Sequence, residues 1–382
     1  MFIPNLLIVL ITAFLGRLLS KRIKQPYILG ELILGMMLGN LGIITLTETM
    51  EDIADIGIVF LLFSAGLTVN FEEFKRLEKS SLVVAFSGVV LPFILGYIVT
   101  ILFGFSRFVA LFVAVSLIAT SVGVKAEILT ELKMIGTELG TLIMGAAVID
   151  DIIAVILISV LAGVARTGTI LIGEILVTVF LSLLFLMISL TILIKVSKRL
   201  SEKIIVKIIN IEDILLLGFI IVLVFCLITE NIGLSIITGA FIAGLVLGQT
   251  SFARALSEHV SLFGESLFIP VFFVTMGMQF NISSFTSIGG FAVVLIIVAV
   301  IGKIIGCGVG AKISKFTGEE SFAVGIAMIP RAGVELILIK LALDYDIISS
   351  GVASVILCMV IVTTLMTPPL LSAVLKKLVL RK

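Results

Sequence analysis

Apolar residues run through this chain in long stretches, separated by short segments rich in Lys, Arg, Glu, Asp, Gly or Pro. A helix of about 20 apolar residues crosses a bilayer. Partition at the polar breaks predicts thirteen such helices, with cores at 2–19, 26–44, 53–69, 81–104, 107–124, 137–163, 169–194, 212–229, 232–249, 262–280, 285–311, 320–344 and 349–375. The basic residues test this partition independently, because Lys and Arg accumulate in cytoplasmic connections. With the N-terminus outside, twenty-one of them fall in inner connections, including Arg17, Lys125, Lys133, the group Lys195 to Lys207, and Arg254. Only Arg107 and Arg166 fall in outer ones. The expectation is a multi-pass protein of the cytoplasmic membrane, N-terminus outside and C-terminus in the cytoplasm.

Composition agrees and removes other classes. The chain is 60% hydrophobic and 13% charged, with a mean hydropathy of +1.36; a soluble protein carries roughly 25% charged residues. Its 26 basic and 25 acidic residues leave a net charge of +1, so the basic surplus expected of a nucleic-acid binder is missing. Cys226, Cys307 and Cys358 stand in separate apolar stretches and read as small buried hydrophobes, neither a disulfide framework nor a metal knuckle. His259 reads as a solvated residue of a polar connection. The expectation is a protein that is not an enzyme and holds no cofactor.

Three charged side chains lie where apolar residues belong. Asp150 and Asp151 sit side by side within the sixth span, and Lys303 sits mid-span between Gly302 and Gly306. An ionised residue at a helix centre costs about 2.5–3.5 kcal/mol on insertion scales, so a pair of them implies a function. Adjacent helical residues point about 100° apart. One aspartate therefore pairs with Lys303 while the other faces a water-filled cavity. A carboxylate that holds either a proton or a cation is the minimal exchanger, since the two compete for one site.

Two further spans carry helix-weakening residues at depth, at Ala119-Thr120-Ser121-Val122-Gly123 and Ile329-Pro330-Arg331-Ala332-Gly333. Unwound backbone in a membrane must be buried in protein or line a cavity. Its freed carbonyls and the hydroxyls of Thr120 and Ser121 are suitable ligands for a small hard cation. Ser121-Val122-Gly123-Val124 also matches Arg331-Ala332-Gly333-Val334 at an offset of 210 residues, on spans that cross in opposite directions. Inverted repeats with interrupted spans point to the binding site of a secondary transporter. Arg331 and Glu335, four residues apart, are placed to form a structural or gating ion pair. An intramembrane aspartyl protease needs two carboxylates opposed across a substrate, which consecutive residues cannot provide. A passive channel would show a charge ring or filter-like repeat, and neither is visible.

On these motifs the chain resembles the monovalent cation:proton antiporters. Gln25-Pro26-Tyr27-Ile28-Leu29-Gly30-Glu31, Phe60-Leu61-Leu62-Phe63-Ser64-Ala65-Gly66, Thr120-Ser121-Val122-Gly123-Val124, Val148-Ile149-Asp150-Asp151 and Pro270-Val271-Phe272-Phe273 carry the likeness in order. Within that family it looks most similar to the two-aspartate, NapA-type sodium/proton exchangers. The resemblance implies an all-α sodium/proton antiporter fold of about thirteen transmembrane helices, with inverted repeats and two crossed broken helices. It implies a homodimer in the lipid bilayer, each protomer having a dimerisation bundle and a six-helix core that includes about 81–163 and 262–375, and elevator-like alternating access. No soluble regulatory domain is expected, because the chain stops soon after its last span.

Residue by residue, the resemblance implies that Asp151 binds the transported Na+ or proton and that Asp150 pairs with Lys303. Thr120 and Ser121 fall on the first broken helix, Pro330 and Arg331 on the second. The Asp-Asp pair implies electrogenic exchange of Na+ for protons; whether Li+ is carried too stays open. The family places an acidic residue directly after an Arg-Gly in the twelfth span, where this chain reads Arg331-Ala332-Gly333-Val334-Glu335. The alternative is a K+/H+ antiporter of the potassium-efflux type.

Overall fold

The computed structural model describes residues 2–167, 172–195, 210–232, 234–279, 289–331 and most of 338–381. Each of the thirteen predicted spans is occupied by helix. The first five helices are α1 (Phe2–Arg22), α2 (Tyr27–Asn40), α3 (Glu48–Thr68), the short α4 (Phe71–Arg76) and α5 (Glu78–Leu102). The fifth predicted span is a pair, α6 (Arg107–Ser116) and α7 (Val122–Glu131). Then come α8 (Glu138–Thr167), α9 (Ile172–Ile188), α10 (Ile211–Asn231), α11 (Ile236–Leu247), α12 (Ala253–Phe263) and α13 (Ile269–Met278). The chain closes with α14 (Gly290–Ile313), α15 (Gly318–Ala327) and α16 (Ser350–Arg381).

Solvent polarity is inverted relative to a water-soluble protein. Phe14, Phe86, Leu102, Phe180, Leu216 and Ile313 stand exposed, whereas Asp150, Lys303, Arg331 and Thr363 are buried. An apolar exterior with inward polar groups is the arrangement that lipid tails select. Six of the described helices are long and apolar enough to cross a membrane by length and composition. The shorter apolar helices include α2, α6 and α11.

Four sequence expectations are corrected here. The fifth span does not end at residue 124: the chain leaves helix at Leu117 and resumes as α7 through Glu131. Lys125 is consequently not in an inner connection. It is fully buried on α7, because Ala126, Ile128 and Leu129 continue the apolar run past it. The tenth span starts earlier than 262, since α12 runs through a π-helical turn (Gly264–Phe268) into α13. Leu256 and Val260, four residues apart, bury one face of α12. His259 therefore lies within a helix, its Nδ1 at 2.8 Å from the Ala255 carbonyl, not in a loop. Of the other residues singled out by sequence, Lys198, Arg199, Lys203, Lys207, Ala332, Gly333, Val334 and Glu335 lie outside the described residues.

The repeat is visible in the helices themselves. A long helix, one that stops short and a second long helix recur as α5, α6, α8 and as α14, α15, α16. The two leading helices pack against each other along their length. Gly302, Gly306 and Gly310 form the contacting stripe of α14, spaced one turn apart. A Cβ on Gly306 would lie 2.6 Å from the Ser87 carbonyl oxygen, and one on Gly310 would lie 2.8 Å from the Val84 Cα. Small residues at such a crossing bring two backbones together, and here they seat the helix that carries Lys303. Gly306→Leu should lower stability by about 1–3 kcal/mol through overpacking. Thermal unfolding of the detergent-solubilised protein measures it, with Gly318→Ala as the comparison, since a Cβ there meets nothing within 4 Å.

Candidate functional site

Asp150 and Asp151 are consecutive on α8, and the helical twist sends them to different neighbours. Asp150 faces α14 and the break between α6 and α7. The Lys303 ammonium stands 3.2 and 3.3 Å from its two carboxylate oxygens. The Thr120 hydroxyl, in the break, donates to Asp150 Oδ2 at 2.6 Å. The ion pair is removed from solvent on both sides, at 0% exposure for Lys303 and 1% for Asp150. A buried pair is tolerated only with close geometry and extra hydrogen bonds on the remaining lone pairs, and Thr120 supplies one. The structure thus has the expected partner, Lys303, on Asp150.

Asp151 turns instead toward α11, where the Thr238 hydroxyl donates to its Oδ2. Among the described residues it has no ammonium or guanidinium within salt-bridge distance. It is also the less buried of the pair, 8% exposed against 1%.

The two breaks meet. The Ser121 N–H, at the start of α7, donates to the Pro330 carbonyl at 2.7 Å, just beyond the end of α15. Arg331, fully buried, sends Nη1 to the Ala119 and Ser116 carbonyls at 3.1 and 3.5 Å and Nη2 to the Ala299 carbonyl at 3.3 Å. The last carbonyls of a helix lack intrahelical partners and carry partial negative charge, so a guanidinium there is well placed. The Arg331 carbonyl accepts from the Thr364 hydroxyl on α16. Several carbonyls freed by the breaks, expected as open ligands, therefore already accept from protein donors. The described contacts of Arg331 are backbone carbonyls; its expected partner Glu335 lies outside the described residues.

Sequence reasoning missed two members of this cluster. Lys125 reaches back from α7, its ammonium 3.1 Å from Thr120 Oγ1 and 3.1 Å from Met328 Sδ. Thr120 has one hydroxyl proton and gives it to Asp150, so it accepts from Lys125. Counting Lys125 among the inner basic residues concealed it; the apolar residues continuing to Leu129 were the available signal. Thr238 was passed over as one hydroxyl in an apolar span, and nothing in one sequence ties it to Asp151. A separate pair, Arg17 Nε to the buried Glu31 Oε1 at 2.7 Å, joins α1 to α2. It puts the expected loop residue Arg17 inside the helix packing.

Crossed interrupted helices around buried, opposed charges, in a helical body with an apolar exterior, define a membrane transporter of the discontinuous-helix class. The chain belongs to the family described as sodium/hydrogen exchanger, transmembrane, which it matches over residues 9–377. It is 32% identical to the Na(+)/H(+)-K(+) antiporter GerN of Bacillus cereus, over 97% of this chain and 95% of that one. It is 31% identical to a Na(+)/H(+) antiporter of Enterococcus hirae, over 98% of both. Its fold is similar to that of the sodium proton antiporter MjNhaP1 from Methanocaldococcus jannaschii, with a TM-score of 0.72 and 19% identity over 97% of this chain and 96% of that one.

Removing one partner of a buried ion pair strands the other charge, at a cost of about 3–5 kcal/mol. Lys303→Gln should lower the unfolding temperature of the purified protein more than the double variant Asp150→Asn, Lys303→Gln does. Equal losses in both would mean that the pair is not coupled.

Proposed function

We propose that the protein exchanges Na+ for protons across the cytoplasmic membrane, with the two competing for Asp151. The observation that carries this reading is the unequal treatment of two adjacent carboxylates. Asp150 has a fixed counter-ion, whereas Asp151 has a single hydroxyl donor at one oxygen. A buried carboxylate without a resident cation is stable only with a proton or a borrowed cation, which is the pair of states an exchanger alternates between. Asp151, Thr120 and Ser121 are the proposed ligands of the transported Na+, which is substrate; Asp150 and Lys303 complete the ion and proton site. Arg331 holds the end of α6 in register and serves structure or gating.

The fixed Asp150–Lys303 pair supports electrogenic exchange, in which more protons than cations move per cycle. The same reading takes the working unit as a homodimer whose core, including about 81–163 and 262–375, moves against a dimerisation bundle. It puts the N-terminus outside and the C-terminus in the cytoplasm. A second reading, K+ in place of Na+, is favoured by one finding: GerN, which the chain matches along nearly its whole length, is described as a Na(+)/H(+)-K(+) antiporter.

The test uses purified protein in proteoliposomes, following proton efflux from acid-loaded vesicles on addition of Na+, Li+ or K+. The expected result is a Na+ response that grows or falls with membrane potential. A response to K+ alone, indifferent to potential, would move the chain to the potassium reading. In the same assay Asp151→Asn should abolish exchange while leaving a folded protein; full exchange in that variant would remove Asp151 from the site.

A further inference from the structure

Of the five ionisable side chains around the Thr120 break, Asp150, Asp151, Lys303 and Arg331 have a part in the proposed exchange. Lys125 is the fifth. It is fully buried, yet among the described residues no carboxylate oxygen lies within 4.0 Å of its ammonium. An ammonium has three N–H donors and normally seeks charged or carbonyl acceptors. Here its acceptors are one neutral hydroxyl, Thr120 Oγ1, and one thioether, Met328 Sδ. Both are weak partners for a buried charge. Bare burial of this kind destabilises a structural lysine, and a methionine or leucine would fill the same space without that cost.

The position of this charge gives it a role. Its acceptor is the oxygen proposed as a ligand of the transported cation. Thr120 Oγ1 commits its proton to Asp150 at 2.6 Å and one lone-pair direction to Lys125 at 3.1 Å. A cation arriving at Thr120 therefore meets an ammonium already on that oxygen.

We propose that Lys125 is a specificity-determining residue of the exchange site, a tethered cation that competes with the transported one for Thr120, and so sets a weak cation affinity. This rests on the function proposed above and deepens it. The ammonium occupies ground that the transported ion must take, so the site gives up its cation readily and favours an ion small enough to share the Thr120 oxygen with it.

Removing the competitor should tighten binding. Lys125→Met is expected to lower the KM for Na+ about tenfold at fixed pH and clamped potential, with a smaller change in kcat; tenfold corresponds to about 1.4 kcal/mol. Lys125→Arg, which keeps the charge, should bring KM back toward the wild-type value, a rescue that a mere packing role would not predict for a bulkier side chain. Lys125→Gln retains an N–H for Thr120 and serves if the methionine variant does not fold. Binding is read separately from turnover as the Na+ concentration that half-saturates the thermal shift of the detergent-purified protein. An unchanged or higher Na+ midpoint in either folded uncharged variant overturns the inference and leaves the exchange function standing. A wild-type protein that shows neither a Na+ response nor exchange overturns the function itself.

Discussion

A charge taken into the middle of a bilayer loses hydration that no single hydrogen bond replaces. That deficit organises the centre of this molecule. Asp150 is tolerable because Lys303 and Thr120 surround it. Lys303 can reach it because glycines let α14 lie against α5. Thr120 can reach it because the span that carries it is not helical at that point. The break in turn frees backbone carbonyls in an apolar medium, and Arg331 covers those at the end of α6. Each unfavourable feature is thus answered by the next. Removing any one member leaves a polar group facing hydrocarbon.

The fold was readable because its determinants are lengths and sums. Thirteen apolar runs, a lopsided distribution of Lys and Arg, and two interrupted spans survive errors of a few residues in any boundary. The Asp150–Lys303 pair was readable because charges at such depth are rare and helical geometry allows only one adjacent aspartate to face a given partner. Lys125 was not, for a physical reason. A basic residue beside a predicted helix end looks the same whether it sits in water or continues the helix inward, and the continuation shows only in the packing of Ala126, Ile128 and Leu129. His259 failed in the same way, since α12 extends a polar face ahead of the apolar core. Thr238 was hidden for another reason: its meeting with Asp151 spans 87 residues and follows from tertiary packing alone.

Division of labour between neighbours on one helix depends on a single rotational step. Asp150 lies toward the static partner on α14, and Asp151 lies toward α11. A shift of α8 by one residue would put one aspartate in the other's surroundings and an isoleucine, Ile149 or Ile152, in the place it left, so the register of this helix determines which carboxylate meets Lys303 and which meets Thr238. Gly145 contributes to that register, since a Cβ there would fall 2.6 Å from the Ser81 hydroxyl. The small residues on α8 therefore fix chemistry as well as closeness.

The hydrogen bond from the Ser121 amide to the Pro330 carbonyl joins the two inverted halves through main chain atoms alone. Side-chain replacement does not erase such a link, save for a proline at position 121. Side chains around the crossing can therefore be exchanged without removing the contact that aligns the two halves. A frame of this sort lets one ancestral architecture acquire new ionic preferences by small steps, each tested against an unchanged scaffold.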